Sequence, residues 1–122
     1  MEDRNYKIYD SGEIGEVQVT EEVIAIIAGL AATEVEGVHS MAGGITNELV
    51  SMLGKKNLSA GVNIIYADDA VSVTLALVIE YGYSIPEVTA KVQEKVASEI
   101  KNMTDIEVSK VDVRVANVYI EN

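Results

Sequence analysis

The sequence lacks cysteine, tryptophan and phenylalanine altogether, and it holds one proline and one histidine. Without cysteine the chain can form no disulfide, no thiol nucleophile and no thiolate metal site. Aliphatic side chains must therefore fill the core, with six tyrosines as the aromatic surface. The longest apolar run is far shorter than the roughly 20 residues that cross a bilayer, and residues 1–16 contain no apolar stretch typical of a signal peptide. We expect a cytoplasmic protein.

Positive charge is also scarce. Nine Lys and Arg stand against 20 Asp and Glu, and the formal net charge is −11. Such a field repels phosphate backbones and anionic lipid headgroups. The sequence therefore argues against nucleic-acid binding and direct membrane insertion, and its one local basic spot is the pair Lys55 and Lys56.

A length of 122 residues suits one domain. We predict a flexible N-terminal arm over residues 1–12 and a single domain over 13–122.

Apolar periodicity and turn residues predict the element order β-α-α-β-β-α-β. Thr20 and Ser84 are suitable N-caps, and each precedes a helix with an apolar stripe. The predicted elements are a strand within 12–19, a helix from 20 to about 37, a loop at 38–44, a short helix from Thr46 to Gly54, strands at 61–66 and 70–81 joined by a tight turn at Asp68–Asp69, a helix from 84 to about 103, and a strand over 111–120 with a bulge near Ala116–Asn117.

The strand over 70–81 has one fully apolar face and one mixed face. Both long helices carry apolar stripes that need cover, and the apolar face of one sheet provides it. The last helix connects two strands of that sheet, and such a crossover is right-handed when the strands run parallel. We predict an α+β two-layer sandwich in which a mixed β-sheet has its helices on one face and leaves the other face partly open.

The sequence offers no catalytic constellation. His39 is the only histidine, and no cysteine or second histidine exists to complete a zinc site. Ser40 follows it directly, but adjacent side chains usually diverge and no orienting acid is indicated. Turn chemistry explains Asp68 and Asp69 without a bound cation. We predict a non-enzymatic protein without metal or cofactor. A hydrolytic enzyme would instead show a deep pocket that holds His39 with a carboxylate.

We expect an exposed partner-binding patch either on the mixed sheet face or around residues 41–44. The candidate residues are Met41, Gly43 and Gly44 in the loop after the first helix, and Tyr66 at the end of a strand. Apolar and Tyr side chains mark a partner site when they form an exposed cluster. A flexible hinge is the simpler interpretation of Gly43 and Gly44, since the sequence lacks the remaining residues of a phosphate-binding loop. A small-ligand or RNA-binding α+β module is the alternative function.

A series of short segments between Gly15 and Ile120 carries a family resemblance, and together they span more than four-fifths of the chain. The segments are Gly15-Glu16-Val17, 26–32, 34–38, Gly61-Val62, Glu80-Tyr81-Gly82, 85–88, 92–96, Met103-Thr104 and the Val-rich tail from Val108. In this order they resemble the bacterial alkaline shock, Gls-type envelope-stress family. Thr104-Asp105-Ile106 departs from the Thr-Gly-Leu expected in many members, a change that alters one turn.

The resemblance implies a stress-response or cell-envelope homeostasis protein of Gram-positive-type bacteria that is non-catalytic and acts through protein–protein interaction. Some members of the family are held at the inner membrane face by a small membrane-anchored partner, and self-association is implied as well. For this chain we therefore expect protein partners, a membrane-anchored protein among them, a homo-oligomer, and a peripheral location at the inner face of the cell membrane. No catalytic residue is implied at any position.

Overall fold

The computed structural model describes residues 5–10, 16–42 and 61–121. Six strands and two helices lie within these ranges. In chain order they are β1 (Asn5–Asp10), β2 (Glu16–Thr20), α1 (Glu21–Thr33), β3 (Val38–Met41), β4 (Val62–Ala67), β5 (Ala70–Glu80), α2 (Ile85–Thr104) and β6 (Glu107–Tyr119). The short helix predicted from Thr46 to Gly54 lies outside the described residues.

Both described helices begin at the predicted caps. The Thr20 hydroxyl accepts a hydrogen bond from the Val23 backbone N–H at 3.2 Å, at the start of α1. The Ser84 hydroxyl accepts one from the Glu87 N–H at 3.4 Å, at the start of α2. Acidic residues occupy the first turn of each helix, where the helix dipole stabilises negative charge. α1 ends at Thr33, about one turn earlier than predicted.

The sheet is built around β5. β4 pairs antiparallel with the first half of one β5 edge, and β3 pairs antiparallel with the second half of that edge. β6 runs parallel along the other edge, so the sheet is mixed, as predicted. Asp68 and Asp69 form the turn between β4 and β5, with φ angles of 54° and 63°. These values fit a two-residue type I′ turn, whose twist matches that of a hairpin.

Two irregularities interrupt β6. Its register against β5 shifts between Leu77 and Val78, which leaves Ala116 as an extra residue and confirms the predicted bulge. A second shift, between Val71 and Ser72, leaves Ser109 as an extra residue. The Ser109 hydroxyl donates to the Val71 carbonyl at 3.2 Å, so this bulge is tied back to β5.

One segment differs from the prediction, and another adds a strand within the expected N-terminal arm. Val38–Met41, expected in a loop, is β3, and its Val38 and Met41 side chains are buried in the core. A four-residue strand has too little alternation to be recognised in sequence, and its pairing with β5 decides its conformation. Asn5–Asp10, part of the expected flexible arm, is β1 and pairs antiparallel with β2.

The core lies between one sheet face and the two helices, which confirms the predicted two-layer α+β sandwich. Alternate β5 side chains point into it, and α2 contributes residues at helical spacing. The buried members from these two elements are Val71, Val73, Leu75, Leu77, Ile79, Val88, Val92, Val96 and Ile100. The opposite sheet face holds half-buried side chains of β5 and, on β4, the exposed Ile65. We call this surface the open sheet face.

Candidate functional site

An apolar groove lies between α1 and α2. Its volume is about 460 Å³. It is lined by Val23, Ile26, Ile27, Leu30, Ala31, Glu34, Glu99 and Met103. We call it the helix groove. Its lining residues come from α1, from Glu34 directly after α1, and from α2, and none of them comes from a strand.

The helix groove arises because α1 is apolar around most of its circumference. Ile24 and Ala28 face the sheet and are fully buried. Val23, Ile26 and Leu30 recur at spacings of three and four on another face, where Val23 is 43% exposed. A helix that is apolar on every side is normally covered on every side. α2 covers part of this second face, and the remainder stays accessible.

Met103 forms the far wall of the helix groove. It lies in the last turn of α2, after the buried stripe that ends at Ile100, and it is 66% exposed. Methionine has a flexible, polarisable side chain that adapts to irregular apolar surfaces, and it is common at protein-binding sites. Met103 and Val23 therefore present accessible apolar surface on opposite helices of one groove.

The polar rim of the helix groove is acidic. Glu34 caps the C-terminal end of α1, and Glu99 projects from α2. Lys95 reaches Glu34 across the two helices, with 3.5 Å between Nζ and Oε1. Both side chains of this ion pair are substantially exposed, so the contact orients the helices and adds little stability. Glu99 leaves the rim with net negative charge.

A second group of polar side chains gathers at one end of the open sheet face. The His39 ring stacks on Tyr119, with 3.8 Å between ring centroids and an angle of 4° between the planes. His39 Nδ1 lies 3.6 Å from a Glu80 carboxylate oxygen. The group thus joins β3, β5 and β6. Ser40, next to His39, is only 3% exposed, so its hydroxyl is not accessible to a substrate.

Two tyrosines are held by carboxylates near the ends of the strands. The Tyr83 hydroxyl donates to Glu36 at 3.3 Å, and the negative charge of Glu36 raises the pKa of Tyr83. The Tyr66 hydroxyl donates to Asp69 at 3.4 Å. Burial, followed by the charge of Asp69, raises the pKa of Tyr66. Both phenols are therefore neutral at physiological pH and act as hydrogen-bond donors.

Of the four predicted partner-binding residues, Met41 and Tyr66 lie within the described part of the chain. Met41 is fully buried in the core, so its side chain offers no contact area to a partner, because β3 pairs with β5 where a loop was expected. Tyr66 is half-buried on the β4–β5 hairpin. Gly43 and Gly44 lie outside the described residues.

Sequence reasoning missed the helix groove, although its residues were visible. Val23, Leu30 and Met103 all belong to apolar stripes that were interpreted as core. The available signal was the width of the α1 stripe, since a single sheet contact covers only part of so broad a face.

Within 5–10, 16–42 and 61–121, no three His, Asp or Glu side chains converge in a way that could hold a metal ion. In the same ranges, neither helix combines the length and hydropathy of a membrane span.

Comparison with known proteins places these features in a family context. The sequence profile of the alkaline shock protein 23 family, described as having a cell envelope-related function, matches residues 9–120. The Bacillus subtilis protein YqhY is 34% identical over 113 residues, which cover 93% of this chain and 84% of YqhY. A Streptococcus pyogenes serotype M3 protein named stress response regulator gls24 homolog is 31% identical over 105 residues, covering 85% of this chain and 59% of that protein.

One solved structure extends the comparison to backbone geometry. A MamM-CTD structure aligns with a TM-score of 0.48 and 11% identity, over 84% of this chain and 99% of the other. This degree of likeness assigns no ligand or partner to the present chain.

Proposed function

The chain belongs to the alkaline shock protein 23 family, whose function is related to the cell envelope, and from this premise we propose that it serves envelope homeostasis under stress as a non-enzymatic binding protein. It acts by contacting other proteins, including further copies of itself. The observation that carries this proposal is the helix groove, an accessible apolar surface on an otherwise strongly acidic domain.

Burial and exposure support a protein as the occupant of the helix groove. Val23 is 43% exposed and Met103 66% exposed, although both line a groove of mostly apolar side chains. Contiguous exposed apolar surface of this kind is characteristic of protein interaction sites. The trough between α1 and α2 suits a third amphipathic helix, which lays its apolar face into such a groove.

Charge specifies the occupant further. The rim carries Glu34 and Glu99, and the whole chain has a formal charge of −11. Cytoplasmic segments next to membrane spans carry an excess of Lys and Arg. We infer that the occupant is a basic amphipathic segment of a membrane-anchored protein, which would hold the chain at the inner face of the membrane. Direct binding to lipid is opposed, because the inner leaflet is itself negatively charged.

RNA binding, one form of the alternative function, finds little support in the described residues. Lys95, Lys101 and Lys110 each lie within 4 Å of a carboxylate, so their charges are locally compensated. A small apolar ligand is the more reasonable second candidate, because the volume of the helix groove lies within the range of roughly 300–1,000 Å³ typical of ligand pockets. A retained non-protein mass in native mass spectrometry of the purified chain would favour that candidate.

A genetic complementation experiment tests the proposal. The gene is deleted in its own host, and survival under envelope stress is measured after the wild type or a variant is returned. Met103→Glu places a charge in the helix groove, and Ile65→Glu makes the same change on the open sheet face, where Ile65 is 58% exposed. We expect Met103→Glu to fail in complementation and Ile65→Glu to succeed. Full rescue by both variants would refute a role for the groove.

A further inference from the structure

Within residues 5–10, 16–42 and 61–121, one edge of β6 has no strand partner. It is the longest strand, with 13 residues, and it pairs with β5 along one side only. Among the described residues no strand pairs with its other side. A long free edge exposes backbone donors and acceptors in a row and is a template for pairing with another strand. The question is which strand this edge fits.

The hydrogen bonds of β5 determine which β6 backbone groups face outward. The Ala76 N–H donates to the Gly61 carbonyl, and the Ala76 carbonyl accepts from the Ala42 N–H. The backbone N–H and C=O groups of Ala76 and of every second β5 residue therefore point toward β3 and β4. The backbone groups of the intervening β5 residues point toward β6, as the bond from the Tyr81 N–H to the Tyr119 carbonyl illustrates. In a parallel pair of strands, a β5 residue whose backbone groups face β6 bonds to the two β6 residues on either side of its register partner. The backbone N–H and C=O of that register partner point away from β5.

The outward positions follow from the register. Val73 is the partner of Val111, so the Val111 N–H and carbonyl face the free edge. The Gln93 side-chain amide donates to this carbonyl from α2 at 3.0 Å, which agrees with that direction. The bulges at Ser109 and Ala116 each shift the alternation by one residue. The outward residues are Val108, Val111, Val113, Val115 and Val118.

This set is symmetric about Val113. An antiparallel copy of β6 centred there would bring Val113 opposite Val113, Val111 opposite Val115, and Val108 opposite Val118. Facing residues of this type exchange both backbone hydrogen bonds, giving about six bonds across the three central pairs. Their side chains lie on the helix side of the sheet, where Val111, Val113 and Val115 are only partly buried. The edge of β6 is therefore complementary to itself.

Charges on the open sheet face favour the same register. Asp112 and Arg114 are both exposed there. Asp112 lies 3.4 Å from Lys110 Nζ in an exposed ion pair, and within the described residues Arg114 has no carboxylate partner in its own chain. Centring on Val113 places each Asp112 directly opposite Arg114 of the second copy, at the closer, non-hydrogen-bonded pairs. Centring on Asp112 would instead oppose Asp112 to Asp112 and Lys110 to Arg114. One register is thus selected by charge complementarity.

The α2 side chains above β6 set what a second copy would meet. Gln93 and Lys101 reach β6 residues Val111 and Glu107, and the residues one turn before and one turn after Gln93 are the small Ala90 and Ala97. Antiparallel pairing of two β6 strands would bring the two α2 helices side by side over the joined sheet. The Gln93 amide must then release the Val111 carbonyl to the incoming strand.

We propose that the chain forms a symmetric homodimer in which the β6 edges of two copies pair antiparallel about Val113, joining two sheets into one. The inference deepens the proposed self-association by naming its surface and register. It is independent of the helix groove, which lies between α1 and α2.

Sedimentation equilibrium of the full-length chain tests this interface, at about 0.15 M salt to limit long-range repulsion. The wild type should approach twice its 13.1 kDa mass with rising concentration. Arg114→Asp makes both cross-strand pairs repulsive and should raise the dissociation constant about 10-fold or more. The double change Asp112→Arg with Arg114→Asp restores opposite charges and should recover wild-type affinity. Lys91→Asp has the same charge change at an exposed position of α2, outside β6, and serves as the control.

Val113→Pro tests the backbone independently of charge. The Val113 N–H faces the free edge, so proline removes a donor to the second copy without removing a bond to β5. We expect a monomer whose circular dichroism matches the wild type. If Val113→Pro does not fold, the dissociation constants of Arg114→Asp and of the double variant Asp112→Arg with Arg114→Asp decide whether the β6 edges form the dimer. A monomeric wild type at all concentrations overturns the proposal, as does a dimer indifferent to Arg114→Asp. Met103→Glu should leave the dimer intact, so loss of the groove function and loss of the dimer are separately visible.

Discussion

Replacing Gly37 by alanine should destabilise the fold more than the same replacement at Gly82. Gly37 lies between α1 and β3 with a φ of +100°, a conformation that side chains rarely adopt. A Cβ built there would lie 2.7 Å from Val88 Cγ2 and 2.9 Å from Tyr83 Cδ1. The Gly37 carbonyl also accepts the Glu80 N–H at 2.9 Å, which links the turn to β5. The backbone therefore has little freedom to retreat.

Two contributions make up the expected loss. Left-handed geometry at a non-glycine residue costs about 1–2 kcal/mol. Overpacking against a buried neighbour adds about 1–3 kcal/mol, because Val88 is only 3% exposed and belongs to the core. The Tyr83 ring lies at the surface and can rotate away. We expect Gly37→Ala to lower the free energy of unfolding by about 2–5 kcal/mol, a large share of the roughly 5–15 kcal/mol typical of a domain.

Gly82 provides a matched control. Its φ is +102°, and a Cβ built there meets no atom within 4 Å. Gly82→Ala therefore carries the backbone contribution alone, about 1–2 kcal/mol. Urea denaturation followed by circular dichroism gives both free energies, and the slopes should stay equal if only the native state changes. If Gly37→Ala and Gly82→Ala lower the free energy of unfolding equally, the clash with Val88 is refuted. If neither variant lowers it, the positive φ angles of Gly37 and Gly82 are refuted.

Three further predictions concern stability. Leu77→Ala removes a fully buried β5 side chain and should lower the free energy of unfolding by about 2–5 kcal/mol in urea titration; a loss under about 1 kcal/mol would contradict its place in the core. Thr20→Ala removes the α1 cap and should lower it by about 1 kcal/mol, whereas Thr20→Ser should be nearly neutral. Stability should also fall as pH rises above about 10. The pKa of Tyr66 is raised by burial and that of Tyr83 by Glu36, both from 10.0, and that of Lys101 is raised from 10.5 by its bond to Glu107. Each of these three groups binds its proton more tightly in the folded state than in the unfolded state. Its contribution to the free energy of unfolding is therefore complete below the unfolded-state pKa and is lost as the pH rises through the folded-state pKa. A urea midpoint that does not move between pH 9 and 11 would exclude this linkage.

Local sequence signals were sufficient for much of the fold. The Thr20 and Ser84 caps, the Asp68–Asp69 turn and the bulge at Ala116 each depend on neighbouring residues, and the structure confirms all four. The two faces of β5 were readable because the alternation runs over 11 residues. Long, regular segments thus carry enough information to fix both the element and its orientation.

Tertiary context decided the rest. β3 is too short for its alternation to identify it, and Met41 consequently entered the core where an exposed loop residue was expected. The helix groove was missed for a related reason. Apolar spacing shows that Val23 and Met103 lie on helix stripes, but the spacing does not reveal how much of each stripe the sheet covers. That quantity depends on how α1 and α2 pack on the sheet.

Co-sedimentation with membranes tests the central claim that this acidic domain works at the envelope by binding a protein through the helix groove. The purified chain is mixed with native inner-membrane vesicles, with the same vesicles after protease treatment, and with protein-free vesicles made from the extracted lipids. We predict binding to the native vesicles only, with binding lost in Met103→Glu and retained in Ile65→Glu. Equal binding to the protein-free vesicles would contradict the claim, and so would equal binding of the two variants to native membranes.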